Sequence, residues 1–266
     1  MLSVKDFESR LYNKSANTKR MYLARVKKYL KWLKRVDADF DQYSVMEFAN
    51  TNFKSSSTKN QVLAALKLFL KENDKIVQNI RALPQISKPR THLDDVDQDK
   101  LLRARLGNFY DVRNQIIIRL MMRCGMRISE ALGLNLNDIN FRDRSIRIMG
   151  EQVKRKKPRI TYMDTDTKKL IQFYVKRDNI GAKQRLFYID PPAFRYAFKK
   201  YTAAAGLGKD LSPHSLRHTF AINYMQKGGE LTKLKKFLGH KDVNTTSIYL
   251  NYTDEELRKD YDKVHK

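Results

Sequence analysis

The chain has 266 residues, 41% of them hydrophobic and 11% aromatic, enough to bury one large core or two modest ones. Lys and Arg number 54 against 29 Asp and Glu, and the resulting charge of +25 calls for a polyanionic partner, nucleic acid first among them. No run of about 18 apolar residues is present to cross a bilayer, and Met1-Leu2-Ser3-Val4-Lys5-Asp6 lacks the apolar segment of a secretory signal, so a cytoplasmic, nucleoid-associated protein is expected.

Along the chain, residues 15–35 set Leu23, Val26, Leu30 and Leu33 on one helical stripe, while Lys19, Arg20, Lys27, Lys31 and Lys34 lie largely elsewhere. This is a basic amphipathic helix, with Lys19, Arg20 and Lys27 as candidate DNA contacts. Ser55-Ser56-Ser57 offers N-cap chemistry before Val62, Leu63, Leu66, Phe69 and Leu70, a second buried helix. Residues 1–82 read as all-helical. The stretch from Leu83 to Thr91 carries two prolines, which disfavour helix, so a linker over 85–91 is expected between domains at 1–84 and 92–266. Positive charge is in excess on both sides of it, which suits a clamp around a duplex better than a basic tail.

Beyond the linker, helices are expected at 97–106 and 111–124, the second turning Val112, Ile116, Ile117, Leu120 and Met121 inward. Cys124, the single cysteine, falls at its end as a core residue, and Gly125 supplies a left-handed cap. Arg127 then stands at a rigid junction before a short helix at Ser129-Glu130-Ala131-Leu132, where Glu130 suits the helix dipole, with orientation of Arg127 as its alternative role. Ile139–Phe141, Ser145–Met149 and Arg159–Met163 alternate as strands of a small antiparallel sheet, with a basic turn between the last two. Helical periodicity returns at 165–177, 192–205, 215–227, 231–238, 244–250 and 253–264. The fold class is thus mainly α (α+β): a helical N-terminal domain and a mostly helical second domain with one small sheet.

Two short blocks carry the chemistry. Pro213-His214-Ser215-Leu216-Arg217-His218 precedes Leu238-Gly239-His240, and Tyr249 follows His240 by nine positions. Guanidinium groups grip phosphate oxygens in pairs, imidazoles move protons near neutral pH, and a phenol can attack what they hold. A zinc site is the alternative, since His214 and His218 are four apart and His240 is available as a third ligand. Against it, no glutamate lies between the two histidines, and Arg217 would stand beside the cation and repel it. No metal or other cofactor is therefore expected.

Three blocks in order, Gly125-Met126-Arg127-Ile128-Ser129-Glu130-Ala131-Leu132, His214-Ser215-Leu216-Arg217-His218-Thr219-Phe220-Ala221 and Leu238-Gly239-His240 with Tyr249, resemble the tyrosine recombinase/integrase family. The resemblance spans residues 91–255. The N-terminal region is similar only in general character to the family's core-binding domain. It implies a site-specific DNA recombinase of the Xer kind that cleaves and rejoins double-stranded DNA through a 3′-phosphotyrosine, without ATP or Mg²⁺. Arg127 and Arg217 would neutralise the phosphate, His214 would accept the proton of the nucleophile Tyr249, and His240 would hold phosphate or steady the tyrosine.

The resemblance also implies a general-acid lysine in the sheet's turn. Here Glu151 follows Gly150 where the family carries lysine, and counting back from the next strand selects Lys154, with Lys156 and Lys157 as rivals. Arg155, Lys156 and Lys157 suit backbone phosphates in any case. Four subunits on two DNA sites are implied, with residues 253–266 docking on a neighbour through Leu257, Tyr261 and Val264. Neither chromosome-dimer resolution nor element integration is selected, although the lack of an added arm domain leans toward a simple resolvase. The other classes are a type IB topoisomerase-like relaxing enzyme and a noncatalytic DNA-binding protein.

Overall fold

The structure, a computed structural model, is described for residues 3–70, 78–84, 91–149, 158–208 and 211–239. Two compact units emerge, Met1–Lys88 and Pro89–Lys266. Residues 85–90 of the expected linker and the helices expected at 244–250 and 253–264 lie outside the described residues.

The first unit contains α1 (Val4–Arg10), α2 (Ala16–Val36), α3 (Gln42–Asn52) and α4 (Ser56–Phe69). Each begins at a short polar side chain that takes up a main-chain N–H left over at the helix start: Ser3 from Asp6, Ser15 from Thr18, Asp41 from Ser44 and Ser55 from Thr58. The expected stripe on α2 is displaced. Val26 and Leu33 are buried, Leu23 and Leu30 only half-buried, and the core positions between them belong to Tyr29 and Trp32. Aromatic bodies fill the space between α2 and α3, with Tyr29 and Trp32 against Phe48, while the Tyr29 hydroxyl pairs with that of Ser44 at 2.8 Å.

In the second unit the described elements are α5 (Asp95–Arg103), α6 (Asp111–Arg123), α7 (Ile128–Leu132), a 3₁₀ turn (Leu136–Asp138), β1 (Ile139–Asn140), β2 (Ser145–Ile148), β3 (Arg159–Tyr162), α8 (Thr165–Arg177), α9 (Pro191–Ala204), α10 (Pro213–Gln226) and α11 (Leu231–Leu238). Helix α6 is the axis of the core. Ile116, Ile117, Ile118, Leu120, Met121 and Met122 are all buried, because α8, α9 and α10 pack around it and leave no broad solvent face. Helix α5 stops at Arg103, short of the expected residue 106. Past its end, the Asp111 carboxylate accepts from the N–H groups of Leu106, Gly107 and Asn108, folding that segment into a turn.

The sheet is antiparallel in the order β1-β2-β3, with Ile146 opposite Thr161 and Ile148 opposite Arg159. On β3 the inward row is Arg159, Thr161 and Met163, whereas Ile160 and Tyr162 are 54% and 55% exposed. This row bears directly on the site.

Candidate functional site

Three of the expected residues sit on two elements that α6 brings together. Arg127 occupies the position before α7, whereas His214 and Arg217 lie on the first turns of α10. Gly125 makes the approach possible. Its φ is +66°, and a Cβ there would lie 2.5 Å from the Phe220 ring of α10, so any side chain would push the two segments apart. The Gly125 carbonyl instead accepts from Nη1 of Arg217, whose residue is only 2% exposed.

Glu130, on α7, is the hub of the charge. Its side chain is 8% exposed and takes the Arg127 N–H at 2.7 Å and Arg127 Nη1 at 2.8 Å, while Arg217 Nη1 stands 3.7 Å away. Both Glu130 oxygens also accept from Arg159 on β3, at 2.9 and 2.7 Å, in the two-pronged geometry that suits guanidinium and carboxylate. Burial alone would raise the Glu130 pKa, but hydrogen bonding to Arg159, its charge, and the Arg127 N–H and charge hold the carboxyl at about 2. Glu130 is therefore both the helix-start residue read from the sequence and the anion that gathers three arginines.

The same arginines close the end of α11. Its terminal carbonyls have no helical partner and carry the negative end of the helix dipole. Leu238 O accepts from Arg217 Nη2 and, at 3.3 Å, from Arg127 Nη1, and Phe237 O accepts from Arg159 Nε at 2.7 Å. Gly239 follows at φ +61° with its backbone against the Arg159 side chain. Residues far apart in sequence thus meet at the carbonyl two positions before His240.

Sequence reasoning missed Arg159, although a signal was present. The two-residue period of β3 places it on the row of Thr161 and Met163, and an arginine on an inward row requires a buried partner. Apolar Ile160 and Tyr162 pointed to the opposite phase. His214 is exposed on α10, and His218, buried, meets His92 edge to face with ring centroids 6.3 Å apart. Among the described residues no group of three or more His, Cys, Asp or Glu is placed to hold a metal. Buried Cys124 has its thiol pKa driven upward by desolvation, as a core residue would.

Lys154, Arg155, Lys156, Lys157, His240 and Tyr249 lie outside the described residues. In the first unit, Arg20 and Lys27 are exposed on α2 and Lys19 is half-buried. Two more cations of that helix, Arg25 and Lys28, stand over the Phe53 ring, each 4.6 Å from its centroid. Among the described residues no helix is long and apolar enough to cross a membrane.

Residues 92–256 match the family model described as the phage integrase family. Tyrosine recombinase XerA of Saccharolobus solfataricus is 32% identical over 190 residues, covering 70% of this chain and 62% of that protein, less than two thirds of its length. Tyrosine recombinase XerD of Oceanobacillus iheyensis is 27% identical over 278 residues, covering 94% of this chain and 93% of that protein. The fold is that of the Tn1549 transposon integrase, solved in complex with transposon right end DNA, with a TM-score of 0.77, 16% identity and full coverage of both chains.

Proposed function

Because this chain belongs to the phage integrase family through residues 92–256, we propose that it is a site-specific DNA recombinase that works on double-stranded DNA in the cytoplasm. The observation that supports this most is the meeting of Arg127 and Arg217 on the Leu238 carbonyl, two residues before His240. A cluster of three guanidiniums around one carboxylate keeps a surplus of positive charge, which is what a phosphodiester gaining negative charge in its transition state needs. Arg127 is the more accessible of the pair, with its side chain 29% exposed against 2% for Arg217.

In the reaction, the Tyr249 phenolic oxygen attacks phosphorus and its proton passes to His214. The bond from phosphorus to the 5′ oxygen breaks as Lys154 protonates that oxygen, leaving a 3′-phosphotyrosine and a free 5′-hydroxyl. His240 holds the phosphate, and Arg127 and Arg217 stabilise the pentacoordinate state. A 5′-hydroxyl from another strand reverses the same steps, so the phosphodiester energy is kept and no cofactor is consumed. Lys19, Arg20 and Lys27 of the first unit, with Arg155, Lys156 and Lys157, hold the DNA backbone.

Covalent trapping tests the reading. Wild-type protein incubated with nicked genomic fragments of its own host, then denatured, is expected to carry DNA on the peptide containing Tyr249; no adduct on any fragment would refute the proposal. The trapped DNA also reveals the target site. Four subunits on two such sites carry out the exchange, with residues 253–266 docked on a neighbour. Deleting 253–266 is expected to weaken pairing and recombination in gel assays more than binding to one site, and unchanged recombination rules the dock out.

A further inference from the structure

We infer that Arg159 is a positioning residue of the cleavage reaction: it takes up the charge of Glu130 so that Arg127 and Arg217 keep theirs for the phosphate. The inference rests on the recombinase reading above. Its starting point is an imbalance in how the three guanidiniums share one carboxylate. Arg159 makes two short bonds to Glu130, at 2.9 and 2.7 Å, one to each oxygen. Arg127 makes one side-chain bond at 2.8 Å, and Arg217 approaches only to 3.7 Å. The residue that no phosphate chemistry claims is the one that neutralises the anion most completely.

Remove that partner and the balance changes. Glu130, 8% exposed, cannot turn to water for solvation, so among the described residues its charge must fall on the two remaining arginines. Their field at the phosphate weakens, and their side chains are drawn toward the carboxylate. Arg159 is also fixed in place at its other end. Nε donates to Phe237 O at 2.7 Å, and the side chain lies against the backbone of Gly239, where a Cβ would come within 3.0 Å of Arg159 Cδ. It therefore ties Glu130 to the end of the helix that leads into His240. Lysine matches its charge but not its planar fork, so it cannot reach both oxygens and a main-chain carbonyl together.

The test separates electrostatic positioning from plain scaffolding. A synthetic duplex of the sequence trapped by the wild-type protein is prepared with the scissile linkage as a phosphodiester or as a methylphosphonate, which has lost one anionic oxygen. Rates of adduct formation are compared between wild type, Arg159→Gln and Arg159→Lys, with duplex affinity and melting temperature measured alongside. Arg159→Gln is expected to slow the phosphodiester about 100-fold and Arg159→Lys about 10-fold, yet both should stay within about threefold of wild type on the methylphosphonate, which asks less of the arginines. Equal slowing on both substrates would mean that Arg159 only holds the fold together, and no slowing on either would mean that it has no role; each overturns the inference. Failure of the wild-type protein to trap any host DNA removes the recombinase reading itself before these variants are compared, so the two failures are distinguishable.

Discussion

Tyr249→Phe protein is expected to form no covalent adduct with a nicked duplex while binding that duplex as tightly as wild type. The substitution deletes one oxygen atom, and in the proposed reaction that atom is the one esterified to DNA. What makes the expectation sharp is the number of rivals, since the chain has 14 tyrosines. The buried phenols are poor nucleophiles. Tyr29 is pushed up to about 12 chiefly by desolvation, and Tyr201 is shifted upward by burial and by its hydrogen bond to Asp111. Tyr162 and Tyr224 are better placed, because their rings pack against Phe237 of α11, with centroids 6.4 and 5.6 Å away. Tyr252 is the neighbour in sequence. Denaturing gels of end-labelled DNA with Tyr162→Phe, Tyr224→Phe and Tyr252→Phe should show the adduct, and Tyr249→Phe alone should not. An adduct that survives in Tyr249→Phe and disappears in one of the other three would move the nucleophile.

How much of this was written in the sequence depends on the kind of constraint. Helices announced themselves where a cap preceded an apolar period, as at Ser55 before α4. The α6–α7 junction was legible because only glycine takes φ +66° without strain, which fixed Gly125 as the turn before Arg127. Local rules misled where tertiary packing chose between two faces. On α2 the aliphatic stripe lost the central core positions to Tyr29 and Trp32, whose larger bodies bury more surface against α3. On β3 the apolar residues pointed outward because the inward row serves polar contacts: Thr161 donates to the Cys124 carbonyl at 2.8 Å, and Arg159 reaches Glu130. Motif spacing could associate Arg127 with Arg217. It offered Glu130 as an orienter of Arg127 only second to its dipole role, and it could not show that Arg217 approaches the same carboxylate or that a third arginine arrives from a strand.

That carboxylate gives the second large effect. Glu130→Gln is expected to destabilise the second unit by about 3–5 kcal/mol, because among the described residues it leaves guanidiniums facing one another with no anion between them. Acid should reproduce the loss in the wild type. The Glu130 pKa lies at about 2 in the folded chain against an ordinary 4.5, so its stabilising contribution is complete above 4.5 and disappears as pH falls through 2. A depression of that size corresponds to about 3 kcal/mol, similar to the mutational cost. The difference in melting temperature between wild type and Glu130→Gln should therefore be full at neutral pH, shrink below 4.5 and close near 2. A difference that stays constant down to pH 3, or widens on acidification, contradicts the arginine cluster as the source of the stability. The choice of probe matters. Trp32 is the single tryptophan and belongs to the first unit, so its fluorescence would follow the wrong unfolding. Amide exchange along α6, the axis of the core that carries the Gly125 turn, reports the unit in which Glu130 acts.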